Sequence, residues 1–183
     1  MRIWARDAAS GRWRCSAVLE DTHTRTVRAC SWAPSGRHLA TASFDRTVAI
    51  WQVAGGVWEH VALLEGHESE VKGVAWNPNG SLIATCSRDK TVWVWEAAPG
   101  NEFEVVDVKH GHSQDVKAVV WSPSGEVLAS ASYDDSVKLW VDNDDEWICA
   151  QTLDGAPRAS VFLGFLGGAR GGGLPEAARA RPA

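Results

Sequence analysis

Apolar and polar residues alternate along most of the 183-residue chain in short runs that are rich in Val, Ile, Ala, Thr and Trp. Turn signals separate these runs, among them Pro-x-Gly at 34–36, 78–80 and 123–125. Runs of this composition are typical of β-strands, and Pro-x-Gly favours a tight turn between two of them. The pattern therefore predicts an all-β chain of many short strands.

The strand pattern occurs in three copies, which are offset by 44 and then by 45 residues. A further aromatic residue recurs between the copies and predicts a fourth, outer strand. Four strands in about 44 residues, ending in Trp, are typical of a blade of a WD-repeat β-propeller. The recurring aromatic residues are Trp32, Trp76 and Trp121 in first strands, Trp51, Trp95 and Trp140 at the ends of inner strands, and Trp13, Trp58, Phe103 and Trp147 in outer strands.

Each copy also carries His, then Ser or Thr 18 residues later, then Asp after 4 and Trp after 6 more. The three sets are His23, Thr41, Asp45 and Trp51; His67, Thr85, Asp89 and Trp95; and His112, Ser130, Asp134 and Trp140. They resemble the structural tetrad of WD-repeat proteins, a hydrogen-bonded chain that ties the loop before each blade to its inner strands. Buried imidazole, hydroxyl and carboxylate groups each need a partner, and such a chain satisfies them together.

Ser or Thr, His and Asp are also the residue types of a hydrolase triad. A catalytic set is made once, whereas this set occurs three times at fixed spacing and always with Trp, so we predict no catalytic residue. The four cysteines form no Cys-x-x-Cys pair, and we predict neither a metal site nor a cofactor. We expect all four to be buried small apolar groups.

The charge of the chain is distributed unevenly: residues 1–51 carry a net +4, residues 52–154 a net −12, and residues 155–183 a net +3. The acidic middle would repel a phosphate backbone, so we expect no sequence-independent binding through this surface and predict no nucleic-acid partner. Residues 1–4 lead into polar sequence without the apolar core of a signal peptide, and no apolar run approaches the roughly 20 residues of a membrane helix. We expect a cytoplasmic protein, with the nucleus as a second compartment, and neither a membrane nor a small-molecule substrate as partner.

The copies suggest a division of the chain into units. Residues 1–22 resemble the end of a preceding blade, with an inner and an outer strand. WD repeats then occupy 23–65, 66–110 and 111–155, and the Gly/Ala/Arg-rich residues 156–183 are expected to be a disordered tail. A complete propeller of seven blades needs about 300 residues. We therefore expect an incomplete propeller of about three full blades, a truncated form of a longer protein.

Several stretches resemble one WD-repeat family more closely than the rest. These are Glu65-Gly-His-Glu-Ser-Glu-Val-Lys72, Leu82 to Trp95 with its Thr-Cys-Ser-Arg-Asp-Lys core, His112 to Lys117 and Leu128 to Trp140. The family is the WD-repeat subunit of the cytosolic iron–sulfur protein assembly machinery. The resemblance implies a non-catalytic scaffold that helps to insert iron–sulfur clusters into extramitochondrial proteins. Its implied partners are targeting-complex subunits and client apoproteins.

A generic WD40 interaction adaptor, such as a ubiquitin-ligase substrate receptor, is the alternative. Substrate receptors often carry Trp-Asp-x-Arg after the last strand of a repeat. Here the repeats instead end in Trp51-Gln52, Trp95-Glu96 and Trp140-Val141. This departure favours the iron–sulfur assembly scaffold.

Blade loops converge on one face of a propeller, so binding residues should recur there with different chemistry. Residues that flank the first Val of each copy, and the residue before each tetrad Asp, fit this description. Arginine and aromatic residues are typical anchors, and their mixture suits an acidic or aromatic peptide tail. We name this predicted set the partner face: Arg28, Phe44, Glu70, Lys72, Arg88, Asp115, Lys117 and Tyr133. His38, His60 and His110 have no repeated counterpart and are expected at the surface.

Overall fold

The computed structural model describes residues 1–143 and 146–155, and within them it contains fourteen strands and no helix. This confirms the all-β prediction. In the described part of the chain, no helix has the length and hydropathy needed to cross a membrane. The strands are β1 Arg2–Arg6, β2 Trp13–Val18, β3 Val27–Trp32, β4 His38–Ser43, β5 Val48–Ala54, β6 Val57–Leu64, β7 Val71–Trp76, β8 Leu82–Ser87, β9 Thr91–Ala98, β10 Glu102–His110, β11 Val116–Trp121, β12 Val127–Ser132, β13 Ser136–Asn143 and β14 Glu146–Asp154.

The strands form three four-stranded antiparallel sheets, in each of which strands that follow one another along the chain are neighbours. We call these sheets blade 1 (β3–β6), blade 2 (β7–β10) and blade 3 (β11–β14). Strands β1 and β2 form a separate two-stranded sheet, the partial blade. The architecture is that of an incomplete WD40 propeller, as the repeat predicts. The unit boundaries at 23, 66 and 111 stay a prediction, and the tail predicted for 156–183 lies outside the described residues.

The blades are stacked through apolar side chains. Blade 1 meets blade 2 mainly through β3 and β4 against β7, and blade 2 meets blade 3 through β7 and β8 against β11. Ile50 of blade 1 and Val71 of blade 2 are fully buried in the first of these interfaces. The partial blade packs its Ile3 and Ala17 against Leu39 and Trp51 of blade 1. Burial between sheets, rather than within one sheet, therefore holds the stack together.

The two aromatic residues that recur in the first and outer strands contact each other within each blade. Trp32 meets Trp58, Trp76 meets Phe103 and Trp121 meets Trp147, with ring centroids 5.4, 6.3 and 5.2 Å apart and an edge-to-face geometry. Aromatic pairs prefer this arrangement. The contact gives a physical reason for the spacing of these aromatic residues along the chain.

Each blade also contains two bulges at repeated positions. In the first strands the register skips Arg28, Lys72 and Lys117. In the outer strands the register skips one residue beside the tetrad Trp of the third strand, and the partial blade shows the same shift beside Trp4. The third strands continue for three residues past Trp51, Trp95 and Trp140, so the prediction that these residues end the inner strands was wrong. A bulge re-aims a side chain and bends the strand. Strict alternation of side chains between the two faces of the strand does not hold at these residues.

Two expectations about burial were wrong. Only Cys86 is buried, whereas Cys15, Cys30 and Cys149 are exposed. Cys15 and Cys149 lie on outer strands, and Cys30 lies on β3 at the place of Val74 and Val119, which are buried against the preceding blade. The sheet before blade 1 has only the two strands of the partial blade, and Cys30 is exposed there. Histidines 60 and 110 are exposed as predicted, but His38 is half-buried and its Nε2 lies 2.9 Å from Oδ1 of Asn101.

Candidate functional site

The structure brings the four residues of each predicted tetrad together as a chain of hydrogen bonds. In blade 2 the Trp95 indole N–H donates to Oγ1 of Thr85 at 3.0 Å, and this hydroxyl lies 2.8 Å from Nε2 of His67. Nδ1 of His67 is in turn 2.8 Å from the carboxylate of Asp89. The other two blades repeat these three distances within 0.2 Å, through His23, Thr41, Asp45 and Trp51 and through His112, Ser130, Asp134 and Trp140.

The direction of these hydrogen bonds follows from which side-chain groups can donate a proton and which can only accept one. A carboxylate only accepts, so the histidine must carry its proton on Nδ1. The indole only donates, so the hydroxyl accepts from it and can donate its own proton to the free Nε2. Burial lowers the pKa of His112 below its usual value, although the bond to Asp134 acts in the opposite direction. A neutral His112 ring in this tautomer completes the chain of bonds in blade 3.

The aspartate at the end of each chain binds the loop as well as the histidine. Asp45 Oδ2 accepts the backbone N–H of Thr24, and Asp89 and Asp134 do the same for Glu68 and Ser113. Burial raises the pKa of Asp45, but hydrogen bonds from Thr47, Thr24 and His23 outweigh it and lower that pKa to about 2. The carboxylate is thus held ionised while it fixes the loop before the blade.

Two further hydroxyl groups in every blade belong to the network, and the sequence analysis gave them no role. Thr47, Thr91 and Ser136 bind the second oxygen of the tetrad carboxylate at 2.7, 2.5 and 2.6 Å. Ser43, Ser87 and Ser132 donate to a carbonyl of the loop before the blade and accept the N–H of the tetrad Asp. The signal was present as a Ser-x-Asp-x-Ser/Thr pattern in all three copies.

Seven of the eight residues of the predicted partner face are linked by contacts at the tetrad end of the blades. Phe44, Glu70, Lys72, Arg88 and Asp115 line one cavity of about 310 Å³. Lys117 and Tyr133 adjoin it, because Nζ of Lys72 lies 5.7 Å from the Tyr133 ring centroid. Arg28 is the exception: it is exposed at the β3 bulge and does not line the cavity.

Glu70 is the electrostatic centre of one half of this face. Arg88 of the same blade and Arg25 of blade 1 both place guanidinium nitrogens 3.4 Å from its carboxylate. A hydrogen bond from Ser69, the backbone and then the two arginines lower the pKa of Glu70 to about 2. Arg25 also donates to the carbonyl of Phe44 and lies against its ring. The sequence analysis missed Arg25, because Ser69 and Gln114 occupy its place in the other copies.

Lysine residues dominate the other half. Lys72 of blade 2 forms an ion pair with Asp115 of blade 3, and the lysine side chain is 12% exposed. Nζ of Lys117 is 3.8 Å from the ring centroid of Tyr133 and 2.6 Å from its hydroxyl oxygen. That hydrogen bond, followed by the charge of Lys117, lowers the pKa of Tyr133. Lys72, Arg88 and Lys117 are therefore partnered, whereas Arg28 is exposed to solvent.

Within the described residues, no group of three or more His, Cys, Asp or Glu side chains is arranged to hold a metal ion. Each blade has buried hydroxyl groups and a loop that the tetrad binds to the sheet, and the charged, aromatic partner face lies at this end of the blades. These are features of an interaction domain built from repeats. The family described as "WD domain, G-beta repeat" matches residues 13–52, 58–96 and 103–141, and the chain belongs to it.

Two relatives show which WD-repeat proteins this chain is similar to. The chain is 65% identical over 157 residues to the "Probable cytosolic iron-sulfur protein assembly protein CIAO1 homolog" of Chlamydomonas reinhardtii, a match that covers 85% of this chain and 45% of the relative. It is 55% identical over 66 residues to "Protein CIA1" of Arabidopsis thaliana, covering 36% of this chain and 19% of that protein. These matches confirm the resemblance to the iron–sulfur assembly family. The chain spans less than half the length of these relatives.

Proposed function

We propose that this chain is a protein-binding scaffold that takes part in cytosolic iron–sulfur protein assembly. The observation that carries the proposal is the 65% identity over 85% of the chain to a relative named for that process. The names of the relatives support the cytosol as the site of action, and they give no support to the nucleus. Targeting-complex subunits and client apoproteins are the proposed partners.

The partner face is the proposed binding surface. Arg88, whose side chain is 58% exposed, and the aromatic rings of Phe44 and Tyr133 supply the types of group that anchor peptides. The arginines already share Glu70, so an acidic group from a partner would compete with a carboxylate that is held in position. An aromatic side chain would enter beside Phe44 or Tyr133. We therefore propose an acidic or aromatic peptide as the ligand.

The proposal includes no catalysis. The tetrad residues Thr41, Thr85 and Ser130 are at most 1% exposed, and the hydroxyl of each already binds an indole N–H and an imidazole. A nucleophile must reach its substrate, and these oxygens do not reach the surface. Hydrolysis of an acyl ester that is lost on substitution of Thr85 or Ser130 would contradict this part of the proposal.

The test is affinity capture from cell extract with the tagged chain, with identification of the bound proteins by mass spectrometry. We expect iron–sulfur assembly proteins to bind wild type and to be lost from Arg88→Glu, with an unchanged melting temperature. Arg14→Glu is the matched control, because Arg14 is exposed and pairs with one carboxylate, that of Asp7. Recovery of ubiquitin-ligase subunits instead, or equal loss of stability and binding in Arg88→Glu, would overturn the proposal.

A further inference from the structure

A second cavity lies between blades 1 and 2, at the end of the blades opposite the tetrads. Its walls come from the turns between first and second strands and between third and fourth strands, whereas the His and Asp of each tetrad lie in the other loops. Its volume is about 290 Å³, room for one or two side chains of a peptide and too little for a large cofactor. The partner face does not include it.

Residues that depart from the repeat build this cavity. His38 stands where the other copies have Leu82 and Val127, and Asn101 stands where blade 1 has Gly56. Asn101 keeps the left-handed backbone of that glycine, with φ +65°. Its side chain crosses to blade 1, where Oδ1 lies 2.9 Å from Nε2 of His38 and Nδ2 donates to Gln52 at 2.9 Å. The repeat folds elsewhere without this set of bonds, so the fold does not require it.

The cavity differs chemically from the partner face. Among the described residues that line it there is no Asp, Glu, Lys or Arg. Trp76 and Phe103 form an aromatic wall, and Ala33, Ala97 and Pro99 add apolar surface. The indole N–H of Trp76 is buried and has no acceptor among the described residues, whereas Trp121, its counterpart, donates to the carbonyl of Ala75.

We propose that this cavity is a second docking site, which takes an uncharged, proline-containing segment of a partner protein in extended conformation. Proline rings pack well on aromatic walls, and a polyproline II segment has free carbonyls and no internal hydrogen bonds. Asn79 and Asn101 line the cavity and carry amide N–H groups that can donate to those carbonyls, because Gln52 takes only one of the two Nδ2 hydrogens of Asn101. A charged ligand would be desolvated there without an opposite charge to pair with.

The test follows the eleven indole N–H signals of the ¹⁵N-labelled chain during titration with a capped hexaproline peptide. Trp76→Phe identifies the Trp76 signal. We expect that signal to move saturably with hexaproline and to stay in place with a capped Gly-Ser hexapeptide of equal length. Ala98→Glu, which puts a charge on the cavity wall, should weaken binding at least tenfold.

Ala54→Glu is the matched control, because Ala54 and Ala98 are the last residues of the third strands of blades 1 and 2, and only Ala98 lines the cavity. It should bind hexaproline like wild type. The proposal is overturned if hexaproline leaves the Trp76 signal unmoved, if Ala98→Glu and Ala54→Glu bind it equally, or if a capped hexaglutamate shifts the same signal at lower concentration.

Discussion

A Cβ atom placed on Gly73 would lie 2.8 Å from Sγ of Cys86, the residue directly opposite on the neighbouring strand of blade 2. The other two blades have alanine at both positions, Ala29 with Ala42 and Ala118 with Ala131. Blade 2 thus has a smaller residue on β7 and a larger one on β8. Cys86 is fully buried, and its pKa is raised by that burial, so the thiol serves as packing volume.

Gly73→Ala should destabilise the chain by about 1–3 kcal/mol, because it overpacks a site whose neighbour cannot move. Adding Cys86→Ala recreates the Ala pair of blades 1 and 3 and should recover most of the loss. The measurement is a double-mutant cycle from urea unfolding followed by tryptophan fluorescence. Additive effects of the two substitutions would show that the contact does not constrain blade 2.

Features that recur in every copy can be predicted from the sequence. The strands, the recurring aromatic residues and the tetrad residues stand at fixed offsets, so the repeat by itself gives their positions. The role of a residue that differs between copies does not follow from the repeat. Trp93 is an example: it packs on His67 and Trp95 and covers Gly66. Its ring occupies the space that a side chain on Gly66 would need.

The partner face shows why the pairing of charges is hard to predict from the sequence. Seven of its eight residues lie together and Arg28 lies apart, and alternation does not reveal the bulges at Arg28, Lys72 and Lys117. Lys72 lies at a bulge and pairs with Asp115 of the next blade, whereas Glu70 precedes β7 and pairs with Arg25 of the previous blade. Such pairs join residues about 45 positions apart, and sequence spacing alone does not show which of several charges will meet.

Thr85→Val should lower the stability of the chain by about 2–4 kcal/mol, because it removes the shared hydroxyl but keeps the volume. The Trp95 indole N–H and Nε2 of His67 would both lose their partner, at about 1–3 kcal/mol for each unsatisfied buried group. Thr85→Ser is the control, since serine serves at this place in blade 3 as Ser130. If both variants unfold at the same urea concentration, the hydroxyl does not stabilise the blade.

Acid should weaken the tetrads in a defined pH window. The pKa of Asp45 is about 2 in the folded chain, against an ordinary value of 3.8, so the unfolded chain binds more protons between these limits. The stability that Asp45 contributes is complete above about pH 4 and disappears as the pH falls through about 2. The urea midpoint of wild type should thus exceed that of Asp45→Asn above pH 4, and the two should converge towards pH 2. A constant difference across this range would rule out linkage through Asp45, and exposed Asp154→Asn gives the baseline.

Two ion pairs join neighbouring blades across the partner face, and they should differ in strength. Lys72 and Asp115 have side chains that are 12% and 27% exposed, whereas Arg25 in the pair with Glu70 is 55% exposed. Exposed pairs are screened by water and salt, and partly buried pairs are screened less. A double-mutant cycle of Lys72→Met with Asp115→Asn should give a coupling free energy on the order of 1 kcal/mol that persists in 0.5 M NaCl. The cycle of Arg25→Met with Glu70→Gln should give a smaller coupling that salt removes. If salt abolishes both couplings equally, Lys72 and Asp115 are as well solvated as the exposed pair, and the ion pair does not fix blade 3 against blade 2.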